Sequence, residues 1–217
     1  MSLLWLNPSE TFTDLSPPHA HFYSESNLLL FYLLPSSSLP GLFNSLALLT
    51  SPTPLPQQFT LGYHQSRYTY TSSQDILQVD SQFDTLSIPY DAIWLDLDHT
   101  LNRKYFTFGA HYSPSKQFLS VLMDKGRNAV ALVDPHVKKE RAYFVYDMGC
   151  SGAFKESLFV KLRDGADFEG ECWPGRSVWF DFLRKNVREE YSRLYSYDVY
   201  KGSSPNLYIW YVCVCFF

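Results

Sequence analysis

The chain has 217 residues, 46% of them hydrophobic, which is enough to build a core and excludes a wholly disordered polypeptide. A net charge of −4 with no sustained basic run excludes a nucleic-acid surface, because phosphate neutralisation needs clustered Lys and Arg. The four cysteines, Cys150, Cys172, Cys213 and Cys215, contain no C-x-x-C pair, so a zinc site is not expected.

The opening MSLLWLNPSE lacks the basic start and apolar run of a signal peptide. The first fifty residues, rich in Ser, Pro and Leu, read as strands and loops, and Leu28 to Pro35 is too short to span a membrane. Thr50 to Gln58, TSPTPLPQQ, marks a linker or domain entry. Phe59 to Gln65 then reads as a strand with a polar end. SSQDILQVDSQFDTLSI follows with Ile76, Leu77, Val79 and Phe83 at helical spacing and Ser72 or Ser73 as cap. AIWLDLDH is the next strand. SPSKQFLSVLMDKGRN is the next helix, with Ser113 as N-cap, Pro114 at its first position, Phe118, Leu119 and Leu122 on one face, and Gly126 as stop. Ala129 to His136 forms a strand. SVWFDFLRKNVREEYSRLYSYD reads as a helix, and Asn206 to Trp210 as the last strand. This β-α-β-α-β-(insert)-α-β order predicts an α/β fold with a parallel sheet covered by helices, either doubly wound or a (β/α) barrel.

Three successive strands turn polar at their C-terminal ends: His64, Gln65 and Arg67; Asp96 and Asp98; Asp134 and His136. Parallel α/β folds place their ligands there. Alternation along a strand predicts that Asp96 and Asp98 share one face, with Leu95 and Leu97 on the face packed by helices. Taken alone, Asp96-x-Asp98-x-Thr100 resembles the nucleophile motif of the haloacid-dehalogenase-like phosphatases. That chemistry needs a second acidic pair for Mg²⁺ and a phosphate-holding Lys. Asp164, Asp167 and Glu169 are the acids offered downstream, and they do not follow a hydrophobic strand. The phosphatase remains an alternative reading.

Longer segments carry a second resemblance. LGYHQSRYTY, DAIWLDLDH, VALVDPHV, VKLRDGADFEGECWPG and YSYDVYKGSSPNLYIW occur in this order, and together they resemble glycoside hydrolase family 31, on its neutral α-glucosidase and glucosidase II α-subunit branch. The resemblance implies a β-sandwich remnant over residues 1–51 and the first half, about four strands, of a (β/α)₈ TIM barrel over residues 52–210. It also implies an aberrant tail over residues 211–217. It implies retaining hydrolysis of terminal α-glucosidic bonds, with α-glucosides or N-glycans as substrate, the lumen of the endoplasmic reticulum as compartment, and a noncatalytic β subunit as partner. Neither a nucleic acid nor a membrane is an expected partner, and the resemblance implies no metal and no cofactor. Asp96, Leu97, Asp134, Trp173 and Trp210 are the implied substrate-binding residues. The implied nucleophile position carries Val212, and the implied acid/base lies beyond Phe217, so the chain is expected to be an inactive piece; the alternative is a non-catalytic isoform that binds glycans or a partner.

Overall fold

The computed structural model describes residues 1–7, 9–25, 28–151 and 156–211. The chain divides into two compact units, residues 1–56 and 57–217.

In the first unit, β1 (Ser2–Leu6) pairs antiparallel with β4 (Leu30–Leu34), and β2 (Thr11–Ser16) forms a hairpin with β3 (His19–Ser24). Trp5 joins the two pairs, edge-on to Phe22 at 6.1 Å and tilted on Phe31 at 5.8 Å. The expectation of strands and loops alone fails after residue 38, where α1 (Leu39–Thr50) forms. The Ser and Pro that read as loop composition are its start signal. The Ser38 side chain accepts the Gly41 amide, and Pro40 sits in the first turn, where its missing N–H costs nothing.

The second unit is built on a parallel four-stranded sheet. The strands are β5 (His64–Ser66), β6 (Ala92–Leu95), β7 (Asn128–Leu132) and β11 (Leu207–Trp210), in the spatial order β11-β7-β6-β5. α2 (Ser73–Thr85) connects β5 to β6, with Ser72 capping the Asp75 amide as its sequence predicts. α3 (Ser115–Asp124) connects β6 to β7 and buries Phe118, Leu119 and Leu122. Its N-cap is Pro114 rather than Ser113, which ends a preceding 3₁₀ turn at Ala110–Tyr112. Gly126, at φ +72°, stops α3 in the left-handed conformation that glycine adopts without strain. Ile76 from α2 and the three apolar residues of α3 pack on Ile93, Leu95, Ala129 and Ala131 of the sheet.

The long connection from β7 to β11 holds β8 (His136–Lys138), α4 (Phe144–Ser151), β9 (Glu169–Cys172), β10 (Gly175–Trp179) and α5 (Lys185–Arg193). β8, β10 and β9 form an antiparallel sheet in that order. The helix expected across Ser177–Asp198 is therefore too long. Its first residues belong to β10, where Val178 pairs with Val137 and Glu169, and only Lys185–Arg193 is α-helical. A pairing partner forty residues away decided this, and no local pattern shows it. The expected strand at Phe59–Gln65 is likewise shorter: Gln58–Leu61 turns as a 3₁₀ helix before β5. The strand expected at Ala129–His136 is divided between β7 and β8, which lie in different sheets.

Candidate active-site pocket

β6 ends at Leu95, one residue before the first aspartate of WLDLD. Asp96 caps a 3₁₀ turn, Leu97–His99, so strand alternation does not extend over these residues. Asp96 and Asp98 therefore do not share a strand face. Asp96 Oδ1 accepts the Leu97 amide at 2.6 Å, whereas Asp98 Oδ2 accepts the Thr69 amide at 2.8 Å. Leu97 likewise leaves the helix side to which Leu95 belongs and packs in the opposite core with Leu132 and Val133. Buried His99 fixes the turn: its Nδ1–H donates to the Asp96 carbonyl at 2.7 Å.

Asp96, Leu97 and Trp173 line one cavity of about 260 Å³, together with Tyr68, Arg103 and Leu132. It lies beyond the C-terminal ends of β6 and β7. Tyr68 follows β5, Leu132 ends β7, and Trp173 sits in the turn between β9 and β10. Arg103 Nη1 donates to the Trp173 carbonyl, which ties the β6 loop to the β9–β10 turn. Asn102 and Arg103 hold this loop at φ +53° and +60°, a left-handed pair that reverses the chain toward the cavity. Among the described residues, Asp96 Oδ2 has no hydrogen-bond partner and can accept a ligand hydroxyl.

The other two residues implied by the resemblance lie outside this lining. Asp134 is buried and accepts the Tyr105 hydroxyl at 3.0 Å. Trp210 packs edge-on against Trp94 at 5.0 Å between ring centres. Trp94 in turn donates through Nε1 to His64 Nδ1 at 3.0 Å. Arg67, read from sequence as part of a polar strand end, is paired with Asp75 at 2.7 Å. Of the downstream acids, Asp167 accepts the Ser157 hydroxyl at 2.7 Å and pairs with Lys161, and Glu169 pairs with Lys139 and Arg176. Val212, Cys213 and Cys215 lie outside the described residues. Among those described, no cluster of three or more His, Cys, Asp or Glu is placed to hold a metal ion.

Tyr68, Arg103 and Leu132 are lining residues that sequence reasoning passed over. Tyr68 stands inside LGYHQSRYTY, where the polar residues before it drew attention. Arg103 carries no signal at all, since its position depends on two left-handed residues.

A parallel β-α sheet with a cavity beyond its strand ends, walled by a carboxylate and an indole, is the arrangement of a partial α/β barrel. The family model for the glycosyl hydrolases family 31 TIM-barrel domain matches residues 53–210, and the chain belongs to that family of glycoside hydrolases. Neutral alpha-glucosidase AB of Dictyostelium discoideum is 40% identical over 219 residues, covering 97% of this chain and 23% of that protein. The crystal structure of the ER glucosidase II heterodimeric complex, of catalytic subunit and the binding domain of a regulatory subunit, superposes with a TM-score of 0.87 at 36% identity. It covers 96% of this chain and 24% of that one. The glucosidase II alpha subunit bound to alpha3-Glc2 gives a TM-score of 0.84 at 37% identity, with 96% and 24% covered. The chain thus spans about a quarter of the length of the relatives it matches. The expected fold, a partial family 31 barrel with sandwich strands before it, agrees with these likenesses and with the parallel sheet.

Proposed function

We propose that this chain supplies one wall of the glucosyl-binding pocket of a family 31 α-glucosidase. The observation that carries the reading is the convergence of Asp96, Leu97, Arg103 and Trp173, from two separate loops, on one cavity beyond the sheet. Asp96 is suited to accept a sugar hydroxyl through Oδ2 while its Oδ1 is fixed by the Leu97 amide. Trp173, 42% exposed, offers an indole face to pyranose C–H groups, and Leu97 and Leu132 form an apolar floor. Asp134, hydrogen-bonded to Tyr105, and Trp210, packed on Trp94, stand outside the cavity lining and are assigned no contact with the sugar.

Retaining glycoside hydrolysis needs a nucleophilic carboxylate and an acid/base carboxylate about 5–5.5 Å apart. The resemblance puts the nucleophile at position 212, where this sequence has Val, whose side chain cannot attack an anomeric carbon. The 217-residue polypeptide is therefore assigned binding without turnover. By the same likeness, the proposal extends to residence in the endoplasmic reticulum and to a regulatory subunit as partner, testable by co-purification.

The test is calorimetric titration with methyl α-glucoside, beside an assay with nitrophenyl α-glucoside. Saturable binding that falls on the order of tenfold or more in Asp96→Asn is expected, in line with loss of a charge-assisted hydrogen bond. No hydrolysis is expected. Binding unaffected by Asp96→Asn refutes the assignment of the pocket, and hydrolysis by the 217-residue chain refutes the assignment of inactivity.

A further inference from the structure

The two faces of the parallel sheet are buried unequally. Ile93, Leu95, Ala129 and Ala131, under the helices, are fully buried. The strand register sets Ser66, Trp94, Val130 and Tyr208 in one row on the opposite face, with Leu132 and Trp210 in the next row. There Trp94, Tyr208 and Trp210 are only half-buried. The sheet curves toward this aromatic face. Four flat strands would set the outermost two about 14 Å apart, yet the Phe59 ring lies 5.9 Å from His64 of β5 and 4.5 Å from Tyr208 of β11.

Among the described residues, no strand pairs with the outer side of β5 or of β11. The direction of each backbone group follows from the bonds on the inner side. The Tyr63 carbonyl accepts the Asp91 amide, so Tyr63 and Gln65 turn to β6, and His64 and Ser66 turn outward. The Asn206 and Trp210 carbonyls accept the Ala129 and Val133 amides, so Tyr208 also turns to β7, and Leu207 and Ile209 turn outward. The Leu207 amide is taken by the Ser204 carbonyl, which leaves both backbone groups of Ile209 on the β11 edge.

A curved sheet of four parallel strands is half of an eight-stranded barrel. Closure of such a barrel removes both edges and leaves an interior just wide enough for side chains to fill. A two-fold rotation about the barrel axis keeps every strand parallel and brings β5 of one copy beside β11 of the other. The order β5-β6-β7-β11 then runs twice and returns to its start, so the head-to-tail contact is closed rather than endless.

We propose that two copies of this chain associate about a two-fold axis into one eight-stranded barrel, with β11 of each copy pairing in parallel with β5 of the other. In each seam the Ile209 amide donates to the facing His64 carbonyl, and the facing Ser66 amide donates to the Ile209 carbonyl. The rings of Trp94, Tyr208 and Trp210 from both copies fill the interior. Neither seam uses a residue that lines the proposed sugar pocket, so the dimer and the pocket stand or fall separately.

Sedimentation velocity and light scattering of the 217-residue chain at micromolar concentration test the dimer, with Ser66→Pro as the variant. Ser66 is exposed, and proline is tolerated where a strand N–H faces outward, so the variant should keep its circular dichroism. Each seam joins one β5 to one β11, so this single change breaks both. The expected results are about twice the chain mass for the unmutated protein and a dimer dissociation constant raised about a hundredfold or more in Ser66→Pro. A monomer in the unmutated chain overturns the proposal. Growth past the dimer with rising concentration overturns the closed ring. An undiminished dimer in folded Ser66→Pro overturns the seam, and should that variant not fold, Ile209→Pro on the opposite edge is read in the same way.

Discussion

Replacing Arg127 with Met probes the joint that holds α2 to the start of β7. Arg127 Nη1 meets Asp80 Oδ1 at 2.5 Å, and Nη2 meets Asp84 Oδ1 at 2.6 Å. Its guanidinium also lies over the Tyr90 ring at 4.3 Å. The Asp80 side chain is 1% exposed, so its charge depends on protein partners rather than water. Two unit charges about 4 Å apart attract by about 4 kcal/mol at an effective dielectric constant of about 20, and stripping one partner from a buried pair costs about 3–5 kcal/mol. Lys125 also pairs with Asp80 and remains in the variant, and the Tyr90 hydroxyl donates to the same carboxylate at 2.5 Å. The expected loss is therefore smaller, about 2–3 kcal/mol, or roughly 5–10 °C in Tm for a unit of this size. Thermal unfolding followed by circular dichroism, with urea titration as a second measure, reads the effect. Asp84→Asn, at the exposed end of the same network, should shift the midpoint far less, because exposed pairs are screened by water and salt. A Met variant melting within about 1 °C of the unmutated chain would show that Lys125 and Tyr90 together satisfy Asp80 and would refute the reasoning.

Two further outcomes follow from packing and burial. Burial pushes both His99 and His136 down from 6.5 to about 4, so each is neutral in the fold. The folded value lies below the unfolded one, so the stability from keeping these rings neutral is complete above about pH 6.5 and is lost as pH falls through about 4. Urea midpoints should therefore drop between pH 6.5 and 4, and less steeply in His99→Gln; a flat profile over that interval contradicts the assignment. In α4, a Cβ on Gly149 would stand 2.1 Å from Cζ of the buried Phe159 ring. Gly149→Ala should cost about 1–3 kcal/mol by overpacking despite the better helix propensity of Ala, and an unchanged melting temperature would mean that Phe159 has room to move.

How far the site could be read from sequence differs residue by residue. The alternation of helix and strand after residue 57, the Ser72 cap, the buried face of α3 and the Gly126 stop are local signals, and each appears where the pattern places it. Asp96 and Trp173 were reachable through long segments of ordered resemblance. Local rules fail where they are extended past the end of an element. Strand parity does not hold through Asp98, because β6 stops at Leu95 and Asp96 begins a 3₁₀ turn. Helical spacing does not hold across Ser177–Asp198, because the first three of those residues pair with β8 and two of them with β9.

By itself the sequence determined the class of this protein. Periodic apolar positions and caps act over a few residues, so they specify helices, strands and their order wherever the chain is read. Only the tertiary structure decided which side chains meet. Arg103 reaches the Trp173 carbonyl across seventy positions, and Cys172, His136, Tyr105 and Asp134 converge from three separate segments. Such contacts are set by sheet pairing and by two left-handed residues in a loop. Their energetics depend on burial, which no residue possesses until its distant neighbours have packed around it.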